Sequence, residues 1–136
     1  MKLLIDTNIL LDVMMEREEH YEKSAAIWRG CEAGLFTGFV SVLTAANIMY
    51  IMRRQMDPET ISDVIQKLEL IFRFTELTPA DLRKAAEMQW RDFEDAIQSV
   101  TARRVRVDYI ITRNTRDYSD SPVQAITPDA FFLQLQ

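Results

Sequence analysis

Residues 1–12 read MKLLIDTNILLD, and this stretch predicts how the chain begins to fold. Its first apolar run, Lys2–Ile5, is too short for a signal peptide and is typical of a strand buried on both faces of a parallel sheet. The run stops at the carboxylate of Asp6, and a helical pattern follows over Asn8–Met15. The predicted opening of the fold is therefore a buried strand that ends in an acid and turns at once into a helix.

The rest of the chain continues as short apolar runs separated by helical patterns. Further strands are predicted at Phe36–Val40, Arg73–Glu76, Tyr109–Thr112 and Val123–Ile126. Helices are predicted over Tyr21–Ala33, from Ser41 through Arg54, from Pro58 to Ile71, from Thr78, over Asp92–Arg104 and from Thr127. Strands separated by one or two helices predict an α/β class, a single-domain α/β/α sandwich over residues 1–136 with a central, mainly parallel sheet.

The composition argues against several classes of protein and of binding site. The chain is 48% hydrophobic and 27% charged, which is typical of a globular protein. Lys and Arg number 16 and Asp and Glu number 21, so the net charge of −5 argues weakly against a dedicated nucleic-acid-binding module. The single cysteine, Cys31, and single histidine, His20, exclude a disulfide framework and the usual zinc sites. No apolar run approaches a membrane span, so a cytoplasmic protein is expected.

Acidic residues follow two of the predicted strands. Asp6 ends the first strand, Asp117 follows the strand Tyr109–Thr112, and Asp95 lies near the start of the helix that leads into that strand. In open parallel sheets, ligands bind outside the carboxyl ends of the strands, so these three acids can converge there. Oxygen ligands without histidine or thiolate suit Mg²⁺ or Mn²⁺, which can activate water and stabilise a phosphodiester during in-line displacement.

Each of these residues also has a structural interpretation. Asp6 fits the cap of the helix that follows it, and Asp92 and Asp95 fit the cap and third position of their helix. Asp117 lies in a sequence that favours a turn. Asn47, inside a strongly apolar helix, fits a structural hydrogen bond as well as a catalytic contact.

Four blocks of the sequence resemble, in the same order, the motifs of PIN-domain ribonucleases, a family that includes the VapC-type toxins of bacterial toxin–antitoxin pairs. The first block is the opening quoted above, and the second is Ser41 followed six residues later by Asn47. The third is DAIQSVTA at Asp95–Ala102, similar to the family pattern DALIAAxA. The fourth is TRNTRDY at Thr112–Tyr118, similar to TRNxxDF at the end of a strand.

The resemblance implies a PIN-like fold and a metal-dependent endoribonuclease, with an antitoxin protein as a partner. Carried over by position, it makes Asp6 and Asp95 the metal carboxylates. Asn114 and Asp117 occupy a fourth, more variable position that supports a second ion or positions water. Thr7 is the small hydroxyl beside the first acid.

Asn47 departs from the family pattern, which has a glutamate at this position. An amide can bind a metal ion or hold a water molecule, but it cannot act as a base or add negative charge. The departure leaves open a second function, a catalytically weakened PIN-like domain that acts as an RNA-binding or protein-interaction module.

Arginines gather late in the chain. Val100–Arg116 holds five arginines and one aspartate, so 5 − 1 gives a local charge of +4. Arg113 and Arg116 flank the proposed site and are the predicted contacts to RNA phosphates. The apolar helix over Val42–Met52 and the seven methionines favour a homodimer.

Two other nucleotide- or phosphate-dependent classes fit less well. A phospho-acceptor receiver domain needs a lysine from a late strand, whereas the last lysine here is Lys84. The three glycines, Gly30, Gly34 and Gly38, form neither the P-loop nor the dinucleotide-binding fingerprint.

Overall fold

A computed structural model describes residues 1–136 and shows a five-stranded, all-parallel sheet packed between helices. The strands are β1 (Lys2–Ile5), β2 (Thr37–Ser41), β3 (Arg73–Thr75), β4 (Tyr109–Ile111) and β5 (Ala125–Ile126). The helices are α1 (Thr7–Met14), α2 (Tyr21–Glu32), α3 (Val42–Ile51), α4 (Pro58–Ile71), α5 (Pro79–Met88), α6 (Phe93–Val105) and α7 (Pro128–Gln134). A short 3-10 turn, Thr115–Tyr118, follows β4. The predicted α/β class with a parallel sheet is confirmed.

The order of the strands places a crevice at the centre of the sheet. The order is β3-β2-β1-β4-β5, so the chain winds outward from β1 in one direction and then returns to the other side at β4. Leu3 pairs with Tyr109 and Ile5 with Ile111 in the register of these two strands. Ligands of open parallel sheets bind outside the carboxyl ends of the strands where the winding reverses. In this chain that point lies just beyond Ile5 and Ile111.

Alternate residues of β1 pack into different hydrophobic clusters. Leu3 and Ile5 belong to the larger cluster, which includes residues of α1, α2, α3, α4 and α7. Leu4 belongs to a second cluster with Ala102 of α6 and Tyr118 of the 3-10 turn. Since successive side chains of a strand point to opposite faces, β1 is covered on both, as its apolar sequence predicts. Burial on both faces fixes the position of the acid that follows β1.

Side-chain caps begin most of the helices where the sequence predicts them. Ser41 accepts a hydrogen bond from the Leu43 N–H at the start of α3, and Thr78 and Asp81 form a capping box at the start of α5. Asp92 accepts from the Asp95 N–H at the start of α6, so its predicted capping role is confirmed. Capping on three helices that border the carboxyl edge of the sheet gives that edge a defined geometry.

The prediction that the third helix runs through Arg54 is wrong, because α3 ends at Ile51. The Arg53 guanidinium donates to the Tyr50 carbonyl at 2.8 Å and lies over the Tyr50 ring. The same carbonyl also accepts from the Arg53 backbone N–H at 3.3 Å, a bond across three residues rather than the four of an α-helix, so the chain leaves the helix with this carbonyl satisfied. The remaining strand and helix limits differ from the predictions by small shifts, the largest at β5, which holds Ala125 and Ile126 alone.

No helix of the fold combines the length and the apolar character that crossing a bilayer requires.

Candidate active site at the carboxyl edge of the sheet

Asp6 is the centre of the site. It follows β1 directly, its side chain caps α1 by accepting from the Thr7 N–H, and the residue is 6% exposed. Its own N–H donates to the Ile111 carbonyl of β4 at 3.0 Å. The capping role weighed from sequence is therefore confirmed, and it coexists with a position at the crevice between β1 and β4.

Four side chains donate to the Asp6 carboxylate in addition to the backbone cap. Oδ2 accepts from the Thr112 hydroxyl at 2.7 Å, the Asn8 amide at 3.3 Å and the Tyr118 hydroxyl at 3.3 Å. Oδ1 accepts from the Gln98 amide at 3.3 Å. Hydrogen bonds to the charged form of a carboxylate oppose the cost of burying it. Asp6 is thus held in one orientation by residues from α1, α6, the end of β4 and the 3-10 turn.

Tyr118 joins Asp6 to the second predicted carboxylate. The Tyr118 hydroxyl lies 3.1 Å from Oδ1 of Asp95 and 3.3 Å from Oδ2 of Asp6. Its phenol is 3% exposed, and burial together with the charges of the two acids raises the pKa of Tyr118 above its ordinary value. The tyrosine therefore keeps its proton and can share it with either carboxylate.

Asp95 lies in an environment that disfavours its charge. Burial, reinforced by the negative charges of Asp6, Asp92 and Asp117, raises the pKa of Asp95 to about 7. The hydrogen bond from Tyr118 opposes this shift only in part. A carboxyl group pressed towards its neutral form by neighbouring acids is the situation that a bound cation relieves.

Asn47 contacts a carboxylate that the sequence analysis did not single out. Its Nδ2 donates to Oε1 of Glu94 at 2.9 Å, which links α3 to the first turn of α6. Both residues are partly buried. The structural hydrogen bond expected for Asn47 is present, and its acceptor is the residue that precedes Asp95.

A buried polar contact lies below the hydrogen bond between Asn47 and Glu94. The Thr44 hydroxyl accepts from Gln98 Nε2 at 3.0 Å and lies 3.3 Å from the Thr7 hydroxyl. Gln98 is 1% exposed, and its Oε1 has no hydrogen-bond donor. Thr7 therefore faces α3, while Gln98 spans from α3 to Asp6.

The residues predicted from the fourth motif lie at the rim. Asp117 and Asn114 are both exposed, and the Asn114 N–H donates to the Thr112 hydroxyl at 3.1 Å. Asp117 is near enough for its charge to raise the pKa of Asp95. No three acids, histidines or cysteines lie close enough together to form a ready-made metal site. The structure thus brings Asp6 and Asp95 together and leaves Asp117 outside that pair.

Arg113 is bound to a buried acid. Its Nε and Nη2 donate to the two carboxylate oxygens of Asp12 at 2.9 and 3.1 Å, and Asp12 is 0% exposed. Ser24 of α2 also donates to Asp12 at 2.8 Å. The guanidinium that was predicted to contact RNA therefore already ties the turn after β4 to α1 and α2. Arg116 is exposed and forms no ion pair.

A polar groove adjoins the site. It has a volume of about 1710 Å³, lies along α5, α6 and the segment after the 3-10 turn, and has Asp117 in its wall. Five cationic and three acidic side chains line it, Arg91 and Arg103 among the former. Trp90 lines the groove and packs edge-on against Tyr118, with ring centroids 6.1 Å apart. The groove therefore passes Asp92 and Asp117, whose charges act on Asp95, and carries an excess of positive charge.

Sequence reasoning missed Tyr118, Gln98 and Glu94 as members of the site. Tyr118 and Gln98 lie inside the recognised motifs, and Glu94 stands beside one of them. Spacing offers one signal: Glu94, Gln98 and Thr101 recur at helical intervals along α6.

Comparison with known proteins identifies the family and the fold of the chain. The family model described as PIN domain matches residues 2–116. Ribonuclease VapC1 of Aquifex aeolicus (strain VF5) is 22% identical to this chain over an alignment of 138 positions. The alignment covers 96% of this chain and 92% of the relative.

Solved structures share the fold. A toxin–antitoxin complex from Klebsiella pneumoniae aligns with a TM-score of 0.70 and 22% identity over 93% of this chain and 97% of that chain. VapC20 of Mycobacterium tuberculosis, described as a toxin that cleaves the sarcin–ricin loop, aligns with a TM-score of 0.63 and 13% identity over 79% of this chain and 86% of that chain.

Proposed function

Because this chain belongs to the PIN domain family, we propose that it is an endoribonuclease that hydrolyses RNA phosphodiester bonds with the help of a divalent cation. The observation that supports the proposal most directly is the pairing of Asp6 and Asp95 through the Tyr118 hydroxyl. The pair lies where ligands of parallel sheets bind, and its charges repel one another. The ribonuclease relative described above supports the same reaction.

The residues fit Mg²⁺ or Mn²⁺. Mg²⁺ in proteins is commonly bound by one or two carboxylates, with water and substrate phosphate completing its shell, and Asp6 and Asp95 supply that number. Bound there, such an ion supplies positive charge to the phosphate and lowers the pKa of a water molecule. Thr112, Asn8 and Gln98 keep the Asp6 oxygens oriented.

Hydrolysis joins a water oxygen to phosphorus as the bond to the leaving ribose oxygen breaks, and that oxygen takes up a proton. We assign the placement of the water to Asp117 and Asn114 on the rim, with Asn47 as a further amide contact. Thr7 acts indirectly, because its hydroxyl contacts Thr44 rather than the Asp6 carboxylate.

The RNA lies along the groove beside α6. The cations of the groove suit phosphates, and exposed Arg116 extends the positive surface at the 3-10 turn. Arg113 contributes by holding the turn after β4 against Asp12, and it contacts phosphate only if that ion pair rearranges.

The proposed biological role is the toxin of a toxin–antitoxin pair, with an antitoxin protein as partner. The Klebsiella complex and the VapC1 relative support this role. A homodimer is part of the proposal, because α3 exposes apolar side chains at Val42, Tyr50 and Ile51, by 40%, 66% and 44%. Light scattering of the purified protein measures the assembly directly.

The test of the proposed function is cleavage of structured RNAs by purified protein with Mn²⁺, with Mg²⁺ and with EDTA. We expect cleavage with either ion, none with EDTA, and a loss of at least a hundredfold in Asp95→Asn. An Asp63→Asn variant, altered at an exposed acid of α4, serves as the control and keeps full activity. Equal cleavage by the wild type and Asp95→Asn, or cleavage that persists in EDTA, contradicts the proposal.

The second candidate is an RNA-binding or protein-interaction module with a weakened site, and Asn47 in place of the family's glutamate favours it. This candidate predicts that the wild type binds RNA in Mn²⁺ but leaves it intact. The same experiment therefore separates the two functions.

A further inference from the structure

We propose that Trp90 is the nucleobase contact of the polar groove: an unpaired base of the RNA packs against its indole while a neighbouring phosphate lies at the pair of Asp6 and Asp95. The inference deepens the proposed nuclease function and rests on it, because RNA has to lie along this groove. It gives the groove a preference for single-stranded RNA over duplex.

The first observation is the place of Trp90 between the groove and the two carboxylates. Trp90 lines the groove, and its ring packs edge-on against Tyr118 at a centroid distance of 6.1 Å and an interplanar angle of 81°. The hydroxyl of the same tyrosine lies 3.1 Å from Asp95 and 3.3 Å from Asp6. One side chain thus separates the indole from the acids, so a base on Trp90 belongs to a nucleotide close to the phosphate at those acids.

The second observation concerns the indole N–H of Trp90. Two side-chain polar atoms of the protein are fully buried without a partner, Gln98 Oε1 and the Thr101 hydroxyl. The Trp90 N–H also forms no hydrogen bond within the protein, yet it is not one of these buried atoms, so it is open to solvent. Buried tryptophans usually give their N–H a partner. An open N–H on the groove wall is a donor available to RNA.

Trp90 is held in place by its packing. It contacts the hydrophobic cluster that contains Tyr118 and Ala102 and a third cluster that contains Ala85 and Ala96. Packing on two clusters accounts for the half-burial of the ring and leaves its open edge to the groove. A side chain that is already immobilised loses little conformational entropy when a base packs against it.

The backbone before Trp90 supports the same role. Gln89 ends α5 in the left-handed conformation, with φ of 55°, a position where glycine is commonest. This residue also lines the groove. The left-handed turn directs the chain from α5 into the groove wall, so that Trp90 and the cation that follows it, Arg91, both line the groove.

Cations suited to phosphates surround the indole. Arg91, Lys84 and Arg103 line the same groove as Trp90. Proteins that bind single strands combine a positively charged groove with aromatic side chains on which bases stack. In a duplex the bases are stacked and paired with one another, so their faces are hidden from an indole. The combination of one open tryptophan with several cations therefore fits an unpaired segment of RNA.

The test uses the fluorescence of Trp90 itself. Trp28, the second tryptophan, packs edge-on against Phe72 on the larger hydrophobic cluster, so Trp28→Phe leaves Trp90 as the reporter. Trp90→Phe is the matched control that reports Trp28. Both are made in an Asp95→Asn background to prevent cleavage. Each is titrated with a short single-stranded oligoadenylate, with the same strand paired to oligouridylate, and with an abasic strand of equal length.

We expect oligoadenylate to quench Trp90 in the Trp28→Phe protein as it binds, while the fluorescence of the Trp90→Phe control stays unchanged. The duplex and the abasic strand, which offer phosphates without a free base, leave Trp90 unquenched. Trp90→Leu, which keeps an apolar side chain on the clusters, lowers the affinity for oligoadenylate about tenfold, the effect of losing one base–aromatic contact. Trp90→Phe retains most of the affinity, because it keeps an aromatic face.

Quenching by the abasic strand equal to that by oligoadenylate means that the indole meets phosphate alone, and it overturns the inference. Unchanged Trp90 fluorescence at saturation, or no binding of oligoadenylate, overturns it as well. Chemical unfolding of Trp90→Leu measures its folded fraction, and the fluorescence result does not depend on that variant. A wild type that binds the strand but cleaves no RNA with Mn²⁺ or Mg²⁺ contradicts the nuclease proposal, whereas the fluorescence still decides the contact at Trp90.

Discussion

The negative charge of Asp95 destabilises the folded protein. Burial and the nearby charge of Asp6 raise its pKa to about 7, so ionising it near neutral pH costs free energy. Asp95→Asn removes that charge and keeps an oxygen that can accept from Tyr118. We expect the free energy of unfolding, measured by denaturant in EDTA at pH 7.5, to rise by about 1 kcal/mol.

The exposed Asp63→Asn change provides the reference for this measurement and is expected to leave the unfolding free energy unchanged. A lower unfolding free energy in Asp95→Asn would mean that this carboxylate stabilises the fold. Its place in the site would then be structural.

Some of the important residues could be predicted from the sequence, and others could not. Asp6 and Asp95 could be predicted because each stands at a recognisable boundary of a strand or helix. Asp12 could not, since it reads as one polar position of an amphipathic helix and its partner Arg113 follows 101 residues later. Tyr118 likewise depends on two acids whose separation is set only by the completed sheet.

At the scale of elements, α5 and α6 are joined by an ion pair with one buried partner. Arg104 Nε and Nη2 lie 3.0 to 3.2 Å from the carboxylate of Asp81, which is 2% exposed. Burial alone would raise the pKa of Asp81, but hydrogen bonds from Arg104 and Thr78 outweigh it, and the pKa is lowered from 3.8. The pair holds α5 beside the helix that carries Asp95.

The lowered pKa gives this pair a defined pH dependence. We expect Asp81→Asn to reduce the free energy of unfolding at pH 7 by about 2 kcal/mol, because Arg104 is left without its charged partner. The difference in unfolding free energy between the wild type and Asp81→Asn is largest at pH values above 3.8, the ordinary pKa of an aspartate. It disappears as the pH falls through the lower pKa that Asp81 has in the folded protein. Urea unfolding between pH 2.5 and pH 7 measures it.

A difference between the wild type and Asp81→Asn that stays constant down to pH 2.5 would contradict this account. The destabilisation would then come from the capping box with Thr78, which a neutral side chain disrupts at every pH.

Elements with local signals were predicted well. The capping residues and the prolines at Pro58, Pro79 and Pro128 fixed the starts of their helices, because caps act within one turn. The end of α3 and the shortness of β5 had no such signal. The end of α3 depends on the Arg53 guanidinium at the Tyr50 carbonyl, and the length of β5 depends on its pairing with β4. Neither contact can be predicted from one short segment of the sequence.

For the whole molecule, the net charge of −5 is a poor guide to nucleic-acid binding. The groove beside the carboxylate pair has five cationic and three acidic side chains, so one surface is positive on a protein that is negative overall. Part of the acidity belongs to the site itself, where a bound cation would offset it.

We expect Arg91→Gln combined with Arg103→Gln to weaken RNA binding several-fold. Both arginines are exposed in the groove and free of ion pairs, so replacing them removes positive charge from the groove without uncovering a buried acid. The slope of log Kd against log salt should fall by about 0.7 for each RNA phosphate that is no longer neutralised. Binding is measured in an Asp95→Asn background to prevent cleavage.

Arg73→Gln is the control, because Arg73 is exposed on β3, at the edge of the sheet far from β4 and β5. If the control and the Arg91 and Arg103 variant show the same decrease in affinity and in salt dependence, the RNA lies elsewhere.

The strand order also determines when the site comes into existence during translation. Strands β1, β2 and β3 can pair once residue 75 has left the ribosome, but Asp6 meets Thr112 across 106 positions and Tyr118 later still. At about 5–20 residues per second, several seconds pass in which Asp6 has been made and its partners have not. A nascent chain that stops before Tyr118 contains both carboxylates and lacks the hydroxyl that joins them. The hydrogen-bonded carboxylate pair is therefore assembled only after Tyr118, 112 positions beyond Asp6, has been synthesised.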